Sequence, residues 1–237
     1  MTADTGRLGV GLAGDLALPE GSRRVPGVIV LHGGSGLGEH AMERTRMLAE
    51  AGYAAFAPDL FGRRIAGLEE AEAVTSGFLQ DDAGLQRACN AARESLASHP
   101  QVDASRIAVI GFCFGGQVAL EYARTGADIK ATVAFHARVG SHHPERARAI
   151  RGQVLVCLGT SDRFVSAEER EAFLAEMAAE EVDCRMLLFA GVCHSFTDRH
   201  AEASGVPGLR YDARADRASW RAMLSMLDDA FIAEPGC

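Results

Sequence analysis

Short apolar runs alternate along the chain with stretches whose apolar residues recur every three or four positions. Val28-Ile29-Val30-Leu31 is the unbroken run expected of a strand buried on both faces, and it stops at a glycine-rich turn. Residues 39–51 predict a helix ended by Gly52, and residues 53–57 a strand ended by Pro58. Between positions 81 and 98, Leu85, Ala88, Cys89, Ala92 and Leu96 recur at helical spacing. Further strands are predicted at 107–110, 131–135, 154–158 and 185–189. Helices are predicted directly after GFCFGG, near 167–179, and at the end of the chain, where Trp220, Met223, Leu224, Leu227 and Phe231 share one face.

Strands alternating with helices predict the α/β class, a mostly parallel central sheet with helices on both faces. No repeat, low-complexity tract or long polar linker interrupts the pattern. The organisation read from it is one domain over residues 1–237, with loop 62–80 as a small cap.

Composition narrows the function classes. The 237 residues hold 24 Lys and Arg against 32 Asp and Glu, a formal charge of −8, which argues against nucleic acid or an anionic membrane as partner. No apolar run approaches the ~20 residues needed to span a bilayer. The N-terminal MTADTGRLGV lacks a basic segment followed by a long apolar one, so a cytoplasmic location is expected. The cysteines at 89, 113, 157, 184, 193 and 237 form no CxxC and no zinc-finger spacing, which predicts reduced thiols and no metal. The partner expected is a small-molecule substrate, acted on without a cofactor by a monomer or homodimer.

Open parallel sheets bind ligands beyond the carboxyl ends of their strands, so reactive residues at those ends carry the functional argument. Gly111-Phe112-Cys113-Phe114-Gly115-Gly116 follows the strand at 107–110. Small residues two positions either side of a nucleophile are what a tight strand-to-helix turn requires, and the following helix N-terminus favours a thiolate. Asp162 follows the strand at 154–158, and His194 the strand at 185–189. Taken singly, Cys113 already reads better as a nucleophile than as a packing cysteine or part of a phosphate loop, which would need a following Lys and Ser or Thr, or GxGxxG, whereas Asp162 reads as a turn aspartate and His194 as a loop histidine. Taken together, type, chain order and location match a nucleophile–acid–histidine triad. The backbone N–H of Phe114 and one from the loop His32-Gly33-Gly34-Ser35-Gly36 are the expected oxyanion donors, with Gly34 chosen and Gly33 the near alternative. Gly33, Ser35, His136, Arg63, Phe196 and Asp198 are the candidate substrate contacts. Arg64 shares the surface-arginine reading of Arg63, His142 and His143 read as a solvated loop, and Cys193 as a packing residue.

On GFCFGG at 111–116, GTSDRFV at 159–165, CHSF at 193–196 and GYAAFAPDLFGR at 52–63, the sequence resembles the dienelactone hydrolase family of α/β-hydrolases, from about residue 25 onward. The resemblance implies an α/β-hydrolase fold and a Cys–His–Asp triad at Cys113, His194 and Asp162. It also implies a glutamate against the resting cysteine and an arginine four residues beyond the histidine. This sequence has Gly33 and Asp198 at those positions, which turns the expectation from dienelactone toward a neutral or differently charged ester or lactone. The expected activity is cofactor-independent ester or lactone hydrolysis through an acyl-enzyme. A lyase, isomerase or cyclisation step at the same triad is the alternative, and a non-catalytic binding protein a third reading.

Overall fold

The computed structural model describes residues 13–232; the N-terminal segment read above and Cys237 lie outside them. The strands are β1 Gly14–Ala17, β2 Val25–Leu31, β3 Ala54–Pro58, β4 Val102–Phe112, β5 Ala131–Phe135, β6 Gln153–Gly159 and β7 Cys184–Phe189. The helices are α1 Glu39–Glu50, α2 Leu68–Gln80, α3 Asp82–Ala97, α4 Phe114–Arg124, α5 Ala167–Ala179 and α6 Ala213–Phe231. One sheet runs in the order β1-β3-β2-β4-β5-β6-β7, with β1 antiparallel to β3 and every other neighbour parallel.

The unbroken apolar runs are explained by burial on both faces. In β2, Val28 and Val30 pack on the side of α1 and α6, while Ile29 and Leu31 pack on the side of α3 and α4. Each such fully buried aliphatic residue contributes about 1.5–3 kcal/mol. Helix starts are set by side-chain caps where the sequence supplies them. Ser166 accepts from the Glu169 amide, Asp81 from Gly84, and Asp212 from Arg214 and Ala215.

Two elements differ from the sequence expectation. The segment 62–80 is not a loop, because most of it is the helix α2. Its Leu68, Ala71, Thr75 and Leu79 sit at helical spacing, yet none of its residues is fully buried. Strand β1 was not anticipated, since GDLA carries no apolar run. It exists through pairing with β3, and a Cβ on Gly14 would collide with the Ala57 carbonyl. No helix among the described residues is long and apolar enough to cross a membrane.

Candidate active site

Strand β4 delivers Cys113 to the carboxyl edge of the sheet and α4 starts at the next residue. The turn is tight enough to hold Cys113 at φ 54°, an uncommon conformation for a side-chain-bearing residue. Its flanking glycines are sterically required. A Cβ on Gly111 would collide with the Gly115 carbonyl and one on Gly115 with the Leu31 carbonyl, while one on Gly116 would sit 2.6 Å from the Ala137 Cβ.

The loops after β6 and β7 are laced together. The Thr160 amide donates to the Phe189 carbonyl (2.9 Å), Ser161 to Val192 (3.0 Å), and Gly191 to the Thr160 hydroxyl (2.9 Å). A side chain on Gly159 would strike the Val192 carbonyl. This lacing brings Asp162 to His194, whose Nδ1 lies 2.7 Å from Asp162 Oδ2 with both residues 4% exposed. The other Asp162 oxygen accepts the Phe164 amide at 2.9 Å. Nδ1–H therefore faces the carboxylate and Nε2 is left free for the Cys113 sulfur, to which His194 is electrostatically coupled.

The electrostatics fit a thiolate–imidazolium pair. Burial alone pushes the Cys113 thiol up. The His194 charge, its hydrogen bond and the Phe114 and Gly34 amides outweigh that and hold the thiol below its ordinary range. Burial alone pushes His194 down, but the Cys113 thiolate and Asp162 raise it to about 10. The contrast with other cysteines is direct, since burial raises Cys157 and pushes Cys89 and Cys184 up to about 12.

The elbow forms the floor of a cleft of about 860 Å³, roofed in part by Leu68, Thr75 and Leu79 of α2. Gly33, Gly34, Ser35, His136 and Asp198 line it with Cys113, Phe114 and His194. Two candidate contacts do not. Arg63 turns away and pairs with Glu70 at 2.7 Å, while its neighbour Arg64 lines the cleft with its guanidinium on the Gly36 carbonyl at 2.6 Å. Phe196 is fully buried and packs edge-on beneath His136. His136 itself is 2% exposed, bonds through Nε2 to the Thr197 hydroxyl (2.8 Å), and sets its ring edge-on to His194 with centroids 5.1 Å apart.

Behind His194 and His136 lies a buried network that sequence reading missed. Arg44 of α1 pairs with Asp216 of α6 at 2.8 Å and donates to the Thr197 carbonyl at 2.5 Å, and His40 reaches the Thr197 hydroxyl at 3.1 Å. Its members come from distant parts of the chain, so no local pattern announces it. Helix α2 was missed despite a usable signal, the spacing of Leu68, Ala71, Thr75 and Leu79.

Comparison with known proteins agrees with this architecture. The Dienelactone hydrolase family profile matches residues 12–231. A solved structure titled m3DLH is 42% identical, with each chain 92% covered and a TM-score of 0.88. The dienelactone hydrolase-like promiscuous phosphotriesterase P91, from metagenomic libraries, is 37% identical, with 97% of each chain covered and a TM-score of 0.88. A Bradyrhizobium protein named "Probable 2-oxo-3-(5-oxofuran-2-ylidene)propanoate lactonase" is 25% identical over 235 residues, covering 94% of this chain and 92% of its own. With a family match over nearly its whole length, on a seven-stranded sheet of the same fold, this chain belongs to the dienelactone hydrolase family.

Proposed function

We propose that this hydrolase cleaves uncharged esters or lactones by acyl transfer through Cys113, His194 and Asp162. One observation carries the reading: Cys113, held at φ 54° on the strand-to-helix turn, shares the cleft with His194, whose Nδ1 lies 2.7 Å from the buried Asp162 carboxylate. The Cys113 thiolate attacks the carbonyl carbon, and the oxygen takes the negative charge against the Phe114 and Gly34 amides. Collapse expels the alkoxide, which takes the proton of His194 Nε2. His194 then removes a proton from water, the hydroxide attacks the thioester, and the second tetrahedral intermediate releases a carboxylic acid and restores Cys113. Asp162 holds the imidazole orientation and stabilises its charge throughout.

Charge supports the uncharged substrate. Of the two arginines lining the cleft, Arg138 lies 4.0 Å from Glu169, while Arg64, fixed on the neutral Gly36 carbonyl, keeps its charge and faces two carboxylates. Glu72 and Asp198 line it with no arginine or lysine partner among the described residues. We propose as a second use of the same site the cleavage of neutral phosphate triesters, supported by the 37% identity to the dienelactone hydrolase-like promiscuous phosphotriesterase P91. A neutral phosphate triester presents a P=O to the same two amides; Cys113 attack would form an S–P bond and expel one alkoxide, protonated by His194, and water deprotonated by His194 would then cleave the S–P bond to release a phosphodiester and restore Cys113.

The test is turnover of a p-nitrophenyl ester by wild type and Cys113→Ala, with intact-mass detection of an acyl adduct. The variant is expected to fold and lose hydrolysis, and the adduct to map to Cys113. Retained turnover in the variant overturns the mechanism.

A further inference from the structure

His32 sits at the end of β2, 1% exposed, and its two ring nitrogens are assigned by their partners. The Leu60 amide donates to Nε2 at 3.1 Å, so Nε2 carries the lone pair. Nδ1 therefore carries the hydrogen and donates to the Gly33 carbonyl at 2.8 Å. Burial, the largest influence, holds His32 below its ordinary range and keeps this neutral form.

The Gly33 carbonyl and the Gly34 amide belong to one peptide unit. No peptide is cis among the described residues, so the C=O and N–H of that unit point in opposite directions. With the carbonyl held toward His32, the Gly34 N–H points the opposite way, and Gly34 lines the same cleft as Cys113, whose thiol its amide helps to hold low. A Gly-Gly peptide has little steric resistance to flipping, and a flip would aim a carbonyl oxygen at the thiolate. The Gly36 amide braces the same carbonyl at 3.1 Å. The His32 ring also packs edge-on to Phe61 (4.9 Å between centroids) and against Phe114 (6.4 Å), which bears the other oxyanion donor.

We infer that His32 is a positioning residue of the reaction: its Nδ1–H clamps the Gly33–Gly34 peptide so that the Gly34 amide faces the sulfur and the developing oxyanion. This rests on the acyl-transfer reading above for its kinetic consequence, but not for its geometric one.

Three variants separate the clamp from a merely structural part. His32→Asn places an amide donor near Nδ1 and loses the Leu60 bond. His32→Gln reaches the Nε2 position, keeps the Leu60 bond and loses the clamp. His32→Phe keeps the ring packing and loses both. In the Gln and Phe variants kcat on a p-nitrophenyl ester is expected to fall about 10- to 100-fold with KM within about threefold, part of the ~10²–10³-fold loss for a whole oxyanion donor. The Asn variant is expected to stay within about fivefold of wild type, although it melts as low as the Gln variant. Iodoacetamide alkylation of Cys113 against pH needs no substrate. Its midpoint is expected to move up in the Gln and Phe variants and stay in place in the Asn variant. Equal kcat losses in Asn and Gln, or an unmoved alkylation profile in both Gln and Phe, overturn the clamp. A wild type that alkylates as expected but hydrolyses no ester or lactone sinks the acyl-transfer reading instead, and the alkylation profiles still decide the role of His32.

Discussion

Exchanging Asp162 for Asn tests the triad at its most specific contact. Asp162 Oδ1 accepts the Phe164 amide at 2.9 Å, so an Asn at 162 keeps its oxygen there and turns its NH2 toward His194. A donor facing Nδ1 forces the hydrogen onto Nε2, where it blocks proton transfer from Cys113. The charge is lost as well. Two unit charges at the 2.7 Å Nδ1–Oδ2 separation interact by about 6 kcal/mol at an effective dielectric of ~20. The amide dipole returns part of this, leaving about 4–5 kcal/mol, or about 10³- to 10⁴-fold in kcat/KM. The assay is p-nitrophenyl butyrate hydrolysis at pH 7.5, with circular dichroism and melting to confirm the fold. His194 must also lose the part of its raised affinity for protons that Asp162 supplies, so the alkylation midpoint of Cys113 moves to higher pH. A folded variant within tenfold of wild type, or one with an unchanged alkylation profile, refutes the reasoning.

A p-nitrophenyl ester whose acyl chain ends in a carboxylate is expected to show lower kcat/KM than its neutral isostere, and Asp198→Asn to narrow the gap; equal rates for the two esters count against the charge argument. Arg44→Met removes the partner of a carboxylate whose ion pair is 3% and 6% exposed on its two sides. The loss is about 3–5 kcal/mol, roughly a 10 °C lower melting temperature by calorimetry, and a shift under 2 °C counts against it. Burial and the Arg44 charge lower His40 from 6.5 to about 4. The unfolded chain thus binds more protons once pH falls below 6.5, and stability is expected to drop between pH 6.5 and 4 by up to about 3 kcal/mol, with His32 and His136 acting in the same direction. Urea midpoints across that range should fall less steeply in His40→Gln, and identical slopes exclude His40 as a source.

The apolar runs alone located six of the seven strands, because a strand buried on both faces must be apolar throughout and nothing but local order is needed to see it. The spacing of Gly111, Cys113, Gly115 and Gly116 announced the elbow for a related reason: the turn is so tight that its steric demands fall on residues adjacent in the chain. Asp162 and His194 were legible only by their place after strands.

What tertiary structure alone decided are matters of direction and of distant partners. The Arg44–Asp216 pair spans 172 residues, and its contact through Thr197 to the region behind His194 leaves no periodicity to read. Arg63 and Arg64 are indistinguishable as letters. Packing on the 35–38 turn sends one guanidinium to the Gly36 carbonyl in the cleft and the other to Glu70 outside it. Phe196 reads as a neighbour of His194, and only the folded loop shows it facing the core. The His32 clamp belongs to the same class. A histidine before two glycines is visible in the chain, but which nitrogen holds the hydrogen was settled by the Leu60 amide arriving from another strand's loop. Local sterics can be read along a sequence because they act between neighbours, whereas hydrogen-bond direction depends on what the rest of the chain brings to the other side.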